Sequence, residues 1–344
     1  ASLGATAPSD KGQPPKYSTI IYHQNRLFMN DTDNPQFVWY TDLNEPFTVG
    51  SLNFLTVGDG STDLIKGFGI QDSNLVIFGE QSPWIVYMPD TDVNNWKVIK
   101  AKSPFSSRSP FGIFNYSNKL AFPAMQNDKF VGFAALASGT NEPTQTYLTL
   151  LAAGGETKSD RIEPDMFDVQ ESYVGNISSV VFQNKAYIAL TKDSPNTTNN
   201  YVYVMDFSID NVSKNQREVW CPWTGLNAAQ FCIHNGSLYY GTSTATGFLY
   251  QQNVGVYSDD GTAINSYFWT KEYSGFKGED SNSKDFRYIN LLVDLAGSYF
   301  MDVAIRTDSD SGSGTNYNLD LDPDESLWGT MVWGVDTWGG GAYQ

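Results

Sequence analysis

A hairpin-like motif recurs five times between residues 20 and 240 of this chain. Each copy has an extended apolar run, a short polar turn and a second apolar run. The second runs begin 45 to 66 residues apart, at Leu27, Leu75, Leu120, Ala186 and Leu238. Repeats of roughly 40 to 50 residues built of short strands are typical of β-propeller blades. The motif therefore predicts an all-β protein with a β-propeller.

The repeats predict blade-like units at residues 17–62, 63–104, 105–150, 175–225 and 226–260. In the second unit the alternation continues through Trp84–Tyr87 and Trp96–Ile99, so about 40 residues hold four strands, as a blade requires. Residues 138–174 interrupt the pattern, as either a degenerate blade or an inserted loop. We expect about five to seven blades.

Changes in sequence texture divide the chain into four segments. Residues 1–16 are small, polar and contain proline, which is typical of an arm or linker. Residues 17–261 form the predicted propeller. Residues 262–322 have longer strands, such as the alternating run Phe300–Arg306, and predict a C-terminal antiparallel sheet. Residues 323–344 form a Trp/Gly-rich tail.

The tail repeats Trp-Gly every five residues, at Trp328, Trp333 and Trp338. A period of five fits neither a strand nor a helix, so the three indoles cannot share one face of a regular element. Such a tail is either disordered or docked on a partner, where Trp is a favoured anchor. These three residues are the predicted interface residues.

Charge and hydropathy exclude several classes of function. The formal net charge is −17, from 38 acidic and 21 basic residues, so stable nucleic-acid binding is not expected. The acidity favours solubility, and it also suits a wall past which a polyanion moves without sticking. No run of 18 apolar residues exists, so we expect no membrane-spanning segment. The chain starts at Ala1 without a leader, which we interpret as a processed or truncated chain.

The two cysteines, Cys221 and Cys232, are too few for a disulfide scaffold. They flank Pro222–Gly225, so a bridge across a pair of strands is geometrically possible. Two buried free thiols are the preferred interpretation.

The sequence offers little material for catalysis. His23 and His234 occupy equivalent places beside two of the predicted turns, which favours a turn role over a catalytic pair. Ser258–Gly261 approaches a sialidase-type box, but its glycine comes one position early and the tryptophan is missing. A carboxylate-binding triad would have to come from the six arginines, Arg26, Arg108, Arg161, Arg217, Arg287 and Arg306. We therefore predict no enzymatic activity, no catalytic residues and no cofactor.

Two segments have the alternating oxygen ligands of a calcium loop, Asp90–Asn94 and Asp308–Asp310. Both lack the glycine at the sixth position and the bidentate glutamate at the twelfth. We interpret them as solvated acidic turns and predict no metal site.

The segment Phe37–Pro46 resembles one that is common in bacteriophage tail proteins, an aromatic strand ending in Ser/Thr-Asp-Leu-x-Asp/Glu-Pro. As in those proteins, an apolar strand, Leu75–Glu80, and an aromatic residue, Trp84, follow. Val219–Gly225, Ser237–Gly241 and the change of texture near Ser266 also have counterparts there. Most of the chain, in its order of elements, is similar to the propeller-type hub or nozzle proteins of short-tailed phages, also described as packed-DNA stabilisation proteins.

The resemblance implies a structural virion protein of the phage tail, assembled by self-association into a ring around the DNA exit channel. Its implied partners are copies of itself and adjacent tail proteins, while genomic DNA passes without being specifically bound. The chain is shorter than those proteins usually are, which leaves open whether its blades close a circle by themselves. Two alternatives remain, a receptor- or carbohydrate-binding propeller on a virion or cell surface, and a propeller hydrolase.

Overall fold

The computed structural model describes residues 11–12, 14–58, 63–101, 103, 105–116, 119–136, 148–150, 168–207, 219–244, 247–252, 258–259, 262–263, 300–305 and 315–320. The chain forms two compact units, Ala1–Ala263 and Ile264–Gln344.

In its described residues, the first unit contains five antiparallel sheets of three or four strands, which follow one another along the chain and which we number as blades 1 to 5, and two short two-stranded pairs. Blade 1 consists of β2 (Ile20–His23), β3 (Arg26–Asn30), β4 (Phe37–Tyr40) and β6 (Phe54–Thr56), and a separate pair joins β1 (Lys11–Gly12) to β5 (Val49–Gly50). Blade 2 consists of β7 (Ile65–Gln71), β8 (Asn74–Gly79), β9 (Pro83–Tyr87) and β10 (Lys97–Lys100). Blade 3 consists of β11 (Phe114–Tyr116), β12 (Lys119–Gln126), β13 (Lys129–Leu136) and β14 (Leu148–Leu150).

Blade 4 consists of β15 (Ser178–Phe182), β16 (Lys185–Leu190), β17 (Tyr201–Asp206) and β18 (Val219–Thr224). Blade 5 has three described strands, β19 (Ala228–His234), β20 (Ser237–Thr242) and β21 (Leu249–Gln251). A two-residue pair, β22 (Ser258–Asp259) and β23 (Thr262–Ala263), follows it. Short 3₁₀ helices occupy Val93–Asn95 and Glu171–Asn176.

The first strand of each blade lies at one edge of its sheet and next to the first strand of a neighbouring blade. This holds for β2 with β7, for β11 with β15 and for β15 with β19, while β7 lies next to β12. Blades that radiate from an axis approach one another most closely at their innermost strands, so the first strands lie nearest the axis. The chain is therefore all-β with a β-propeller, as predicted, and five blade sheets are described.

The five repeated motifs form the hairpins between the first and second strands of the blades. Both turn residues have positive φ in Gln24–Asn25, Asp72–Ser73, Gln183–Asn184 and Asn235–Gly236. This is the type I′ geometry, whose twist matches that of the two strands and which Asn and Gly adopt at low cost. The recurrent asparagine of the motif is explained by this backbone conformation.

The hairpins share one register. The second residue of each return strand pairs with the second residue before the turn, as Tyr22↔Leu27, Ile70↔Leu75, Asn115↔Leu120, Val181↔Ala186 and Ile233↔Leu238. Four of the five are buried, and Leu27 is half-buried. The predicted equivalence of the five positions is confirmed, and the one residue that is not fully buried, Leu27, lies on blade 1.

In the described residues, four hydrophobic clusters form the core, each between two consecutive blades. Along β8, Leu75 and Ile77 belong to the cluster between blades 1 and 2, whereas Val76 and Phe78 belong to the cluster between blades 2 and 3. Successive residues of a strand point to opposite faces, so a sheet that is covered on both faces needs a continuous apolar run. The middle blades have such runs for this reason.

The second unit contains one described sheet, the antiparallel pair of β24 (Phe300–Ile305) and β25 (Thr315–Asp320). Met301, Val303 and Ile305 are half-buried, while the residues between them are exposed. The predicted alternation over this strand is therefore present.

Candidate interaction surface

Blade 1 has a second apolar face, opposite the face that packs on blade 2. Cross-strand pairs place Ile20, Met29, Trp39 and Phe54 in one row across all four strands, and Tyr22 pairs with Leu27 beside them. We call these six residues the outer face of blade 1. Ile20 is 45% exposed and Tyr22 is 61% exposed, Leu27, Trp39 and Phe54 are half-buried, and Met29 is buried. The face therefore meets solvent mainly along β2.

Trp39 is held in place by a ring contact and a hydrogen bond. Its ring centroid lies 5.2 Å from that of Phe54, and its Nε1 donates to Asp31 Oδ2 at 3.0 Å. Burial desolvates the Asp31 carboxyl, which by itself would raise its pKa. The desolvation is outweighed by hydrogen bonds, which lower the pKa of Asp31. They come from the side chain and main chain of Asn34, from Trp39 and from the main chain of Asp33. The indole is therefore anchored by a carboxylate that stays charged at neutral pH.

The loop between β4 and β6 adds three exposed apolar side chains at one end of the same blade: Leu43, Phe47 and Leu52. The loop is braced from within, because Asn53 Nδ2 donates to Asp42 Oδ1 at 2.7 Å and Thr48 Oγ1 donates to Glu45 Oε2 at 2.8 Å. It contains the Asp-Leu-x-Glu-Pro part of the phage-like segment.

Blade 5 also has one face that no other blade covers in the described structure. Its strands pair Cys232 with Tyr239 and Tyr239 with Gln251, and the same face has His234 and Leu249. We call these five residues the outer face of blade 5. All are exposed except the half-buried Tyr239, whose hydroxyl donates to Gln251 Oε1 at 3.3 Å.

Exposed large apolar residues are concentrated on these two end blades. Of those in the described structure, six lie between Tyr17 and Leu52 and three lie between Ile233 and Leu249. Only Leu64 and Phe111 fall in the stretch of blades 2 to 4. The end blades thus expose more large apolar side chains than the middle blades do.

The strands of the two end blades are almost free of charge. Among the described strands of these blades, the only Lys, Arg, Asp or Glu is Arg26. Its guanidinium donates to the Thr41 carbonyl oxygen at 2.7 Å and lies over the rings of Tyr40 and Trp96, on the side of blade 2. Across all five blade sheets, the described strands have one carboxylate, Asp206. Depletion of charge is typical of the centre of protein interfaces.

The predicted interface residues Trp328, Trp333 and Trp338 lie outside the described residues. The outer faces of blades 1 and 5 were not among the predicted sites. A signal for the first was present, because Ile20–Tyr22, Leu27–Met29 and Phe37–Tyr40 are apolar at both alternating positions. That pattern predicts burial on two faces.

The two histidines occupy equivalent repeat positions but different environments. His23 is buried and its Nε2 lies 2.8 Å from the carbonyl oxygen of Ser73, in the next blade. His234 is exposed on blade 5. Both residues flank a hairpin turn, as their places in the repeats predicted.

The Asp90–Asn94 segment uses its side-chain oxygens within the loop. Asp90 Oδ1 accepts from the main chain of Asp92, Asp90 Oδ2 accepts from Asn95 Nδ2, and Asp92 Oδ1 accepts from the main chain of Asn94. These bonds begin the 3₁₀ helix at Val93. In the part of the chain that is described, no three His, Cys, Asp or Glu residues group as metal ligands. Asp308–Asp310 lies outside that part.

The expectation of buried thiols is wrong, because Cys221 and Cys232 are both free and both exposed. Cys221 lies on β18, the strand of blade 4 that is furthest from the axis. Cys232 lies on the outer face of blade 5, where no following blade covers it in the described structure. The apolar residues beside each cysteine indicated a strand correctly, but burial depends on what covers that strand.

Of the six arginines considered for a carboxylate-binding triad, two are described. Arg26 packs on aromatic rings, and Arg108 forms ion pairs with Glu80 and Asp128. Arg161, Arg217, Arg287 and Arg306 lie outside the described residues. Ser258 and Asp259 of the sialidase-like box form β22, and Asp260–Gly261 is not described. Within the described ranges, no helix has the length and apolarity needed to cross a membrane.

Comparisons with known proteins do not assign this chain to a family. No model of a protein family and no curated protein matches the sequence. Solved structures with a similar fold include BamB from Moraxella catarrhalis, with a TM-score of 0.38 at 8% identity over 67% of this chain. They include the β-propeller domain of Cps50 (Swd1) from Myceliophteria thermophila, with a TM-score of 0.37 at 8% identity over 68%.

A third similar structure is Hsv2 from Kluyveromyces lactis, with a TM-score of 0.36 at 12% identity over 70% of this chain. The matched regions cover 55%, 64% and 60% of those three proteins, which is less than two thirds of each. Likenesses this distant say nothing of function. The description of the chain as a propeller depends on its own blade sheets.

Proposed function

We propose that this chain is a structural subunit of a bacteriophage tail, of the hub or nozzle type, and that it forms part of a ring around the DNA exit channel. The propeller fold suggests a protein-interaction or binding module. One observation supports assembly in particular: exposed apolar side chains are concentrated on two end blades whose strands have almost no charge. Such surfaces favour contact with other proteins.

The placement in a phage tail rests on the resemblance of Phe37–Pro46 and of the later segments to tail hub proteins. The braced loop at Asp42–Asn53 gives the first of these segments a defined shape with an exposed apolar surface. The net charge of −17 supports a subunit past which DNA moves without being bound. In this proposal the chain is located in the virion, its partners are its own copies and adjacent tail proteins, and no residue is catalytic.

The proposal is tested by electron microscopy of phage particles labelled with an antibody to this chain. Label at the tail, in several copies per particle, is the expected result. Label that is absent from particles, or a single copy on a cell surface, would overturn it. A receptor- or carbohydrate-binding module is the second candidate, because Tyr22, Phe47 and Phe248 expose aromatic rings on which a sugar could stack. It predicts glycan binding by a monomer.

A further inference from the structure

We infer that the outer face of blade 1 docks on the outer face of blade 5 of a second copy of this chain. The inference rests on the proposed function, for which it names the contact between subunits. Phe28, Val38 and Tyr40 pack on blade 2, while Met29 and Trp39, on the alternate positions, point to the opposite face.

A sheet face that stays in water normally has polar residues at alternate positions. The outer face of blade 1 instead has an isoleucine, a tyrosine, a leucine, a methionine, a tryptophan and a phenylalanine. This is the composition of blades 2 to 4, whose two faces are both covered. The outer face of blade 1 is therefore built to be covered.

The surface that covers the outer face of blade 1 must itself be uncharged. A Lys or Glu brought against this face would lose its hydration, which costs free energy. The carboxylate bonded to Trp39, Asp31, offers little compensation, because it is buried and already accepts four hydrogen bonds. A face without Lys, Arg, Asp or Glu meets that condition. The outer face of blade 5 satisfies it, because β19, β20 and β21 contain no Lys, Arg, Asp or Glu.

Blade-on-blade packing is already the contact that builds this protein, and it occurs at four consecutive seams. Blade 1 of one copy on blade 5 of the next would repeat it between chains. Because the two faces differ, the contact is head-to-tail, and such contacts generate rings when the rotation closes. The contact thus has the symmetry that a ring needs.

The test uses Cys232 as a native reporter on blade 5. Tyr22→Cys is introduced with Cys221→Ser, and mild oxidation is followed by non-reducing electrophoresis. Disulfide-linked dimers and higher species are expected, and they should disappear when Cys232→Ser is added. Links that persist without Cys232 would mean that blade 1 faces pair with each other. Links within single chains would mean that a chain covers its own blade. Either result overturns the proposal.

A disulfide needs Cβ atoms about 3.5–4.5 Å apart, so one pair of positions can miss a real contact. Light scattering on Tyr22→Glu covers that case. The variant is expected to lose the self-association of the parent chain while its melting temperature stays within a few degrees. Leu52→Glu is the control, because Leu52 is 80% exposed on the same blade but outside its outer face, and it should keep the parent mass. A Tyr22→Glu variant that also keeps that mass overturns the proposal.

These measurements use purified protein, so they are independent of the particle labelling. Labelled tails without self-association through these faces would support the role in the tail and overturn the proposed contact. Cross-linked rings without labelled tails would support the contact and overturn the role in the tail.

Discussion

His23 donates a hydrogen bond from Nε2 to the main-chain oxygen of Ser73 at 2.8 Å and so fastens the first turn of blade 1 to the first turn of blade 2. The two residues are 50 positions apart, about one blade repeat. Beside this bond, Gln24 Nε2 donates to the carbonyl oxygen of Met88 at 3.0 Å. The turns thus join adjacent blades as well as adjacent strands.

We expect His23→Phe to lower the free energy of unfolding by about 1 kcal/mol, because it keeps most of the ring volume but removes a part-buried hydrogen bond between two blades. Urea unfolding at low protein concentration measures the change. His234→Phe, at the same repeat position on an exposed site, should change it by less than about 0.5 kcal/mol. Equal effects of the two substitutions would contradict the role given to His23.

Gly69 on β7 allows blade 3 to approach the innermost strand of blade 2. A Cβ at this position would lie 2.6 Å from Leu120 Cδ2 and 3.1 Å from Ile113 Cγ2. Gly69→Ala should therefore lower the free energy of unfolding by about 1–3 kcal/mol through overpacking. Gly175→Ala is the control, since its Cβ would meet only the Arg108 carbonyl oxygen at 3.7 Å. A neutral Gly69→Ala would show that the blades are packed less closely than described.

Asp31 and Asp63 should make opposite contributions to the pH dependence of stability. The pKa of Asp63 is raised, mainly because burial desolvates it more than the main-chain hydrogen bonds of Gln81, Ser82 and Glu80 compensate. Its contribution to stability is full below its unfolded-state pKa, near 3.8, and is lost as the pH rises through the raised value. The lowered pKa of Asp31 gives the reverse, a contribution present above about 3.8 and lost as the pH falls through the lowered value.

The measurement is the free energy of unfolding of Asp31→Asn and of Asp63→Asn relative to the parent chain, between pH 3 and pH 7. The loss caused by Asp31→Asn should grow as the pH rises, whereas any loss caused by Asp63→Asn should shrink. Two variants whose losses change in the same direction would be inconsistent with these environments.

The two cysteines give an internal comparison of two surfaces. Both thiols are exposed in the single chain, but only Cys232 lies on the outer face of blade 5. If that face is covered by a second copy, a maleimide should label Cys221 quickly and Cys232 slowly in the assembled protein. In Tyr22→Glu, both should react quickly. Equal labelling of both cysteines in the assembled parent would show that the face is free.

The local parts of the fold were predictable from the sequence, and the reason is physical. Asn-rich turns between alternating apolar runs define two-residue hairpins, and both the turn conformation and the register depend on neighbouring residues alone. The four strands of blade 2 and the equivalent positions of Leu75, Leu120 and Leu238 follow from them.

The exposure of particular residues was not predictable in the same way. Leu238 and Cys232 lie on the same hairpin of blade 5, yet one is buried and the other exposed. The difference comes from blade 4, which covers one face of that hairpin only. Which face of a strand is covered depends on elements that are distant along the chain. The sequence around Cys232 therefore does not predict whether this residue is buried. The two outer faces are defined by the order of the blades, because they belong to the first and the last of the five described blades.

Electron cryomicroscopy of the purified chain would show whether it assembles through its end blades. We expect closed rings in which Ile20 and Tyr22 of one copy lie against Cys232 and Leu249 of the next. Separate propellers, or rings in which the outer face of blade 1 stays in solvent, would contradict this expectation.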